Sequence, residues 1–202
     1  MVGTALLFLF EPTLQAKPAD DRLLAAFFQA MSAMTTVGFN TISIGQLSRA
    51  SLLVLTILMV IGASPSGTGG GLKSTTFSAI IGVMLSAVRG KREVRFWNRP
   101  IPLERIWMAI AALGFYLLAL VLGTYLLELT ESFKFEQNLF EVASGLGTVG
   151  LSTGITAALS NLGRIVVTFM MFCGRVGPLT FGIALFSTPW LKHDEKDNDL
   201  AI

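Results

Sequence analysis

The chain contains the same short pattern twice, and this duplication constrains its fold more than any other feature of the sequence. Residues 28–41 and 140–153 align without gaps at an offset of 112 positions. In each copy a short, mainly apolar segment leads into Thr-Val-Gly. The positions that carry the same residue in both copies are Phe28, Ser32, Thr36, Val37, Gly38 and Thr41. The sequence therefore predicts two equivalent structural units, one in each half of the chain.

The composition favours a membrane location for these units. Hydrophobic residues make up 52% of the chain and charged residues only 14%, whereas a soluble domain carries about 25% charged residues. The charges are also clustered, which leaves long apolar stretches of the kind that cross a bilayer. Cys173 is the single cysteine, so no disulfide can form within the chain.

The two units begin with apolar segments of different length. Residues 106–127 form an apolar run of 22 residues, which is about 33 Å long as a helix and long enough to cross a bilayer. Residues 2–10 supply roughly half of that length and stop at Glu11. We therefore expect the chain to be a C-terminal part of a longer protein, or of a protein whose first residue has been placed too late in its sequence. The polar residues 11–22, with two prolines, predict an exposed loop.

Each Thr-Val-Gly follows a short apolar segment that predicts a re-entrant helix, at residues 23–35 and 137–147. Non-helical backbone at membrane depth has to face protein or water, and the preceding helix directs the partial negative charge of its C-terminus toward it. Backbone carbonyls in such a loop can replace the water shell of a cation. The predicted selectivity filter, with K⁺ at its carbonyls, consists of Thr36, Val37, Gly38, Phe39, Asn40, Thr148, Val149, Gly150, Leu151 and Ser152.

A glycine-rich break separates the apolar residues 48–61 from the apolar residues 72–88. Two half-spans with such an interruption form a discontinuous transmembrane element, and these elements usually line a transport path. Two other interpretations of this break stay open. The first is a phosphate-binding loop, although that motif requires glycine directly before Lys-Ser, where this chain has Leu72. The second is a flexible kink without a function, although a kink needs fewer residues than this break contains.

The basic residues predict the orientation of the chain in the membrane. Six of them lie between residues 89 and 105: Arg89, Lys91, Arg92, Arg95, Arg99 and Arg105. The positive-inside rule makes this segment cytoplasmic, so the two pore loops open from the outside. We expect a first unit at residues 1–88, which contains a truncated first helix, a pore loop and a broken second helix. The basic cytoplasmic loop 89–105 follows, then a second unit at residues 106–188 and a cytoplasmic tail at residues 189–202.

Arg175 is an unusual residue because it lies within the apolar run 162–187. A charge inside a membrane usually faces a cavity or a partner, which favours a pore-facing role. The alternative is an arginine that extends to the interface, although residues 176–187 separate it from the end of the run. The offset of the duplication places Arg175 opposite Ala63, at the start of the glycine-rich break. Lys73 either faces the pore or is an ordinary charge at a helix start.

Four segments together resemble a known family: residues 36–40, 62–73, 148–151 and 174–181. The chain is similar over essentially its whole length to the membrane subunit of the Ktr/Trk/HKT superfamily of potassium transporters, and most similar to the Ktr type. Members of that superfamily carry four such units around one pore. This chain resembles the third and the fourth, which makes the expected fold an all-α membrane protein with two span–re-entrant pore loop–span repeats of a four-repeat, potassium-channel-like pore.

The resemblance implies potassium uptake across the cell membrane, a homodimer with one pore per subunit, and a cytoplasmic nucleotide-binding regulatory subunit. It also implies an intramembrane gating loop below the filter, formed by Ser64, Ser66, Gly67, Thr68, Gly69, Gly70, Gly71 and Lys73. Each Thr-Val-Gly is followed by Phe39 or Leu151 and not by a second glycine. The choice between K⁺ and Na⁺ therefore stays open, with Na⁺ kept as a coupling or activating ion and no covalently bound cofactor expected.

The alternative function of a different class is a non-conducting structural or interaction fragment that pairs with a missing N-terminal half. An enzyme is not expected, because the spans hold no Ser-His pair and no paired carboxylates. One histidine, His193, and one cysteine do not form a metal site. No feature of the sequence indicates nucleic-acid binding.

Overall fold

The structure, a computed structural model, describes residues 1–62, 71–72, 74–90, 95–96 and 99–177. These residues form helices joined by loops, with a pair of two-residue antiparallel strands, β1 (Arg95–Phe96) and β2 (Arg99–Pro100). The helices are α1 (Val2–Phe10), α2 (Pro12–Gln15), α3 (Ala19–Met34), α4 (Arg49–Ile61), α5 (Ser74–Val88), α6 (Leu103–Thr130), α7 (Phe135–Leu146) and α8 (Asn161–Val176), with short 3₁₀ turns at Ile44–Gln46 and Thr156–Ala158. The predicted helical class is therefore confirmed for the residues described.

Helix α6 is the one helix in the described part of the chain that is long and apolar enough to cross a membrane. It has 28 residues, which corresponds to about 42 Å at 1.5 Å per residue. The predicted span, residues 106–127, lies inside it. Its exposed apolar side chains suit contact with lipid, and they include Leu118, Val121, Leu122 and Leu126.

The segment 11–22, expected to be an exposed loop, is mostly helical. Glu11 is fully buried, α2 starts directly after it, and α3 starts at Ala19. The Glu11 carboxylate caps α2, because it accepts the backbone N–H of Thr13 at 3.1 Å and its hydroxyl at 2.8 Å. A proline at the first helical position fits this start. The expectation is therefore wrong about the loop and about the exposure of Glu11, whereas residues 12–13 and 15–21 are exposed as expected. The Glu11 carboxylate can be buried because these donors satisfy it.

Helices α4 and α8 follow the two Thr-Val-Gly loops and start in the same way. Each is preceded by a serine, Ser48 or Ser160, whose hydroxyl accepts a backbone N–H from the first turn. The donors are Ser51, at 3.3 Å, and Gly163, at 3.1 Å. Such N-caps satisfy one of the free N–H groups at a helix start, so the exit of the chain from each loop is fixed.

Both of these helices end at a glycine with left-handed backbone. Gly62 follows α4 with a φ of +69°, and Gly177 follows α8 with a φ of +93°. Glycine adopts this conformation without the penalty that a Cβ atom brings, and it commonly terminates helices. Within the apolar run 162–187, α8 ends at Val176, and residues 178–187 lie outside the described residues.

Glycines bring the first helix of each half close to the helix after its loop. A Cβ atom at Gly3 would lie 2.7 Å from Cδ1 of Leu58, and one at Gly123 would lie 2.8 Å from Sδ of Met170. Leu58 and Met170 are themselves 112 positions apart. The same close approach therefore occurs in both halves of the chain and fixes the framework around the loops.

The two loops differ in how their side chains meet the core. Val149 and Leu151 belong to the main buried cluster, which joins residues of α1, α3, α4 and α7. The corresponding Val37 and Phe39 are 54% and 68% exposed. Buried side chains in a close-packed core have little freedom, so packing holds the second loop more firmly than the first.

Candidate functional site

The two Thr-Val-Gly loops have the same unusual backbone. Thr36 and Thr148 have φ values of 58° and 53°, and Gly38 and Gly150 have φ values of 80° and 90°. Threonine is rare in the left-handed region, and each such residue costs about 1–3 kcal/mol unless the surroundings hold it in place. Strain that recurs at equivalent positions marks both loops as a candidate functional site.

A buried serine holds the start of each loop. The backbone N–H of Val37 donates to the carbonyl of Ser32 at 3.1 Å, and the N–H of Val149 donates to the carbonyl of Ser144 at 2.9 Å. Both serines are nearly inaccessible to solvent. Serine occupies this position in both copies of the duplicated pattern, which was a signal of a shared role. The sequence analysis did not assign these two serines a function.

The two serine hydroxyls act in opposite senses. Oγ of Ser32 donates to the carbonyl oxygen of Phe39 at 2.5 Å, whereas Oγ of Ser144 accepts the backbone N–H of Gly150 at 3.1 Å. One hydroxyl therefore engages a carbonyl of its loop, and the other engages an amide. The two loops therefore share a backbone shape, but a serine hydroxyl occupies a loop carbonyl, that of Phe39, in the first loop and a loop amide, that of Gly150, in the second.

The loops touch each other at their glycines. A Cβ atom at Gly38 would overlap the carbonyl oxygen of Val149, and one at Gly45 would overlap the carbonyl oxygen of Thr153. At Gly150, by contrast, no atom of the described residues lies within 4 Å of the Cβ position. Only a glycine at position 38 allows this approach of the two backbones. The carbonyl of Val149 is thereby brought against the other predicted filter segment.

A cavity of about 480 Å³ lies beside the second loop. All five predicted filter residues of that loop line it, from Thr148 to Ser152, together with Arg175 from the last turn of α8. The rest of the lining is formed by Glu141, Ser144, Gly145, Thr156, Val167 and Met171. The structure thus brings Arg175, whose side chain is exposed, to the same cavity as the second predicted filter segment.

Glu141 is a residue of this site that sequence reasoning missed. It lies in the middle of α7 and is buried, and its carboxylate accepts the backbone N–H of Thr153 at 3.0 Å and the hydroxyl of Thr156 at 2.8 Å. The hydroxyl of Ser152 also donates to it. No sequence pattern pointed to this residue, because its partners lie in a loop whose path the sequence does not reveal.

Most of the predicted gating loop lies outside the described residues: Ser64, Ser66, Gly67, Thr68, Gly69, Gly70 and Lys73. Its described end, Gly71, has a φ of +82° and packs against Gly62, where a Cβ atom would lie 2.8 Å from the Gly62 Cα. The N–H of Leu72 donates to the carbonyl of Val60 at 3.1 Å. The chain therefore enters and leaves this stretch at adjacent points.

The end of that stretch lies near the helix that carries Arg175. Leu72 belongs to a buried cluster with Tyr116, Leu146 and Cys173, and Cys173 is two positions before Arg175 in α8. Within the described residues, no group of three or more His, Cys, Asp and Glu side chains could hold a metal ion.

Comparisons with known proteins agree on one family. The family model for TrkH, described as a cation transport protein, matches residues 10–189. The Ktr system potassium uptake protein B of Vibrio alginolyticus is 35% identical over 189 residues, which are 92% of this chain and 41% of that protein. The potassium/sodium uptake protein NtpJ of Enterococcus hirae is 32% identical over 193 residues, 92% of this chain and 43% of that protein.

The fold has a counterpart among solved structures. The crystal structure of the potassium transporter TrkH from Vibrio parahaemolyticus superposes with a TM-score of 0.70 and 22% sequence identity, and the match covers 93% of this chain and 43% of that one. The chain therefore spans about two-fifths of the length of the curated relatives it matches.

Proposed function

We propose that this chain, which belongs to the TrkH family of cation transport proteins, supplies two of the pore loops through which potassium ions cross the cell membrane. Because that family consists of cation transport proteins, the proposed role of the chain in the membrane is transport and not catalysis. Since the chain spans about two-fifths of its relatives, the transport activity belongs to the full-length protein in this proposal. K⁺ is the proposed cargo, with Na⁺ as a coupling or activating ion.

The contact between Gly38 and the Val149 carbonyl carries this proposal. Two strained loops with φ values that agree within 10° meet at that contact, and strain of this kind is concentrated at sites where the geometry serves a function. Carbonyl oxygens held at fixed positions can replace the hydration shell of a cation. The proposed filter comprises the ten residues predicted from the sequence, 36–40 and 148–152.

The proposed architecture is two repeats of span, re-entrant loop and span, within a pore of four. Matched hydrogen bonds support it. Oε2 of Glu11 accepts the backbone N–H of Ser48 at 3.0 Å, and Oε1 of Glu131 accepts that of Ser160 at 3.0 Å. In each half, a glutamate at the end of the first helix thereby holds the start of the helix that follows the loop. Two further repeats, outside this chain, would close the pore.

The proposed gate is the glycine-rich stretch from Ser64 to Lys73, together with Arg175. The position of Arg175 on the cavity beside the second loop supports this, as does the packing of Leu72 in one cluster with Cys173. An arginine offers five donors in a fixed fork, which suits the carbonyl groups of a glycine-rich segment. The positive charge also lies beside the proposed cation path, where it slows the passage of cations.

The proposed orientation places the basic residues 89–105 and the C-terminus in the cytoplasm, with the pore loops opening from the outside. The proposed assembly is a homodimer with one pore per subunit and a cytoplasmic nucleotide-binding regulatory subunit. Both proposals come from the family to which the chain belongs.

Potassium uptake by the full-length protein tests the proposed function. Cells that lack their own potassium uptake systems should grow at limiting K⁺ when they express it, and should stop growing when Gly38 is replaced by alanine at an unchanged protein level. Growth that is the same with and without the wild-type protein would favour the alternative, a non-conducting structural fragment.

A further inference from the structure

Glu141 is a buried carboxylate whose hydrogen-bond donors, among the described residues, all lie in the segment directly after the filter glycine Gly150. Its side chain is 4% exposed. Oε1 accepts the hydroxyl of Ser152, the N–H of Thr153 at 3.0 Å and the hydroxyl of Thr153 at 3.4 Å. Oε2 accepts the hydroxyl of Thr156 at 2.8 Å. One carboxylate thus fixes the path of the chain from position 152 to position 156.

The equivalent residue in the first half of the chain is Gln29, which is also buried. In the described part of the structure, neither its amide nitrogen nor its amide oxygen has a hydrogen-bond partner. The side chain of Asn40, which aligns with Ser152, donates instead to the carbonyl of Ile42 at 3.0 Å. The two loops have the same backbone shape through the glycine, but among the described residues only the second loop is held after that glycine by a charged side chain.

We propose that Glu141 is a positioning residue for ion preference, and that it acts by fixing Ser152 and Thr153 and thereby the direction of the preceding carbonyl of Leu151. This inference rests on the proposed function of the loop as a cation filter. Charged acceptors form shorter and stronger hydrogen bonds than neutral ones. The carboxylate also lines the cavity beside the loop, where a negative charge lowers the energy of a cation.

A purely structural glutamate is available in the same chain for comparison. Glu131 accepts the N–H of Ser160 at 3.0 Å and its hydroxyl at 2.6 Å. These bonds hold the start of α8 and do not involve the predicted filter residues. If Glu141 only stabilised the fold, the glutamine variants at positions 131 and 141 should behave alike.

The test uses the full-length protein in cells without other potassium uptake, with initial uptake rates measured over a range of K⁺ concentrations, alone and in competition with Na⁺. Glu141→Gln keeps the size of the side chain and reproduces the residue found at position 29. We expect it to raise the KM for K⁺ by about tenfold, the factor that corresponds to loss of one charge-assisted hydrogen bond, and to lower the preference for K⁺ over Na⁺. Glu131→Gln should leave both quantities unchanged at equal protein level.

A second variant covers the case in which Glu141→Gln does not accumulate. Thr156→Val removes one donor to the carboxylate at an exposed position, and it should change the KM and the ion preference in the same direction by a smaller factor. Wild-type values of both quantities in either accumulating variant would overturn the inference. If Gly38→Ala still abolishes uptake in that case, only this inference fails. If Gly38→Ala leaves uptake intact, the proposed filter fails with it.

Discussion

The backbone of Gly38 lies against the carbonyl oxygen of Val149, so closely that a side chain at position 38 would overlap that oxygen. The two residues come from different halves of the chain and from loops with the same left-handed backbone. This contact joins the two loops and explains why glycine stands at this point of the pattern.

The serines that hold the loops should be distinguishable by their opposite hydrogen-bond roles. Ser32→Ala leaves the carbonyl of Phe39 without its donor, and Ser144→Ala leaves the N–H of Gly150 without its acceptor. Each change should cost about 1 kcal/mol and alter the preference among K⁺, Rb⁺ and Na⁺. Competitive uptake assays on the full-length protein measure this preference. Ser78→Ala, which removes a hydroxyl bonded to the carbonyl of Thr75 in α5, is the control and should not change it.

The close approach of α6 to α8 at Gly123 should be required for stability. Leucine at this position would overlap Met170 and Val142, and overpacking of this kind costs about 1–3 kcal/mol. Gly114→Leu is the matched control, because its Cβ position in the same helix meets no described atom within 4 Å. Thermal unfolding of the purified full-length protein in detergent should show a lower Tm for Gly123→Leu alone. Equal Tm values for the two variants would contradict the packing described.

The pKa of Glu11 predicts a loss of stability in acid. Burial by itself raises the pKa of this carboxyl, but hydrogen bonds from hydroxyl and backbone N–H groups outweigh burial and leave the pKa below its ordinary value. The donors belong to Thr13, Ser48 and Ser51. Because the folded pKa is depressed, the stabilisation is fully present above the unfolded pKa and is lost as the pH falls through the folded pKa.

The measurement for this prediction is the Tm of the full-length protein between pH 7 and pH values below about 4, where the unfolded carboxyl is more than half protonated. Glu11→Gln should have a lower Tm than wild type at pH 7, and the difference should shrink in acid. The exposed Glu104→Gln is the control and should follow the wild-type curve. A Glu11→Gln deficit that stays constant down to the lowest pH would show that the charge of Glu11 contributes nothing.

The proposed gate predicts that Arg175 and the glycine-rich stretch act together. Arg175→Ala should increase ion flux in proteoliposomes containing the full-length protein, and so should deletion of residues 66–70. Hydrogen bonds from a charged donor contribute roughly 1.5–3 kcal/mol, so one such bond shifts a closed–open equilibrium by about tenfold or more. The double variant should add little to either single change. Fully additive effects would mean that the two elements act independently.

The sequence predicted the loops well because their signal is local. The Thr-Val-Gly pattern, its preceding apolar segment and its second copy all lie within short stretches, and the contact between Gly38 and Val149 joins the two segments that the pattern identified. The end of α4 at Gly62 and the left-handed Gly71 also fall in the glycine-rich break that the sequence marked. Backbone requirements of this kind are visible in a sequence because few residues other than glycine meet them.

The groups that hold the loops were not predictable in the same way, because their partners are distant in the chain. Glu11 bonds to the N–H of Ser48, 37 positions away, so a residue that composition assigns to an exposed loop is buried. Glu141 and Glu131 are ordinary acidic residues in the sequence, and only the path of the chain shows that one meets the loop and the other meets the start of α8. The early end of α8 at Gly177 was missed because apolar residues continue beyond it.

The ion preference of Gly38→Ser and Gly150→Ser in the full-length protein tests the central claim most directly. If the two loops form a cation filter from backbone carbonyls, either change displaces carbonyls and should lower the uptake of K⁺ relative to Na⁺. Gly90→Ser is the control, because its φ of +63° is also positive and its Cβ position meets no described atom within 4 Å, and it should keep the wild-type ratio. An unchanged ratio of K⁺ to Na⁺ uptake in both filter variants, at normal protein levels, would contradict the claim.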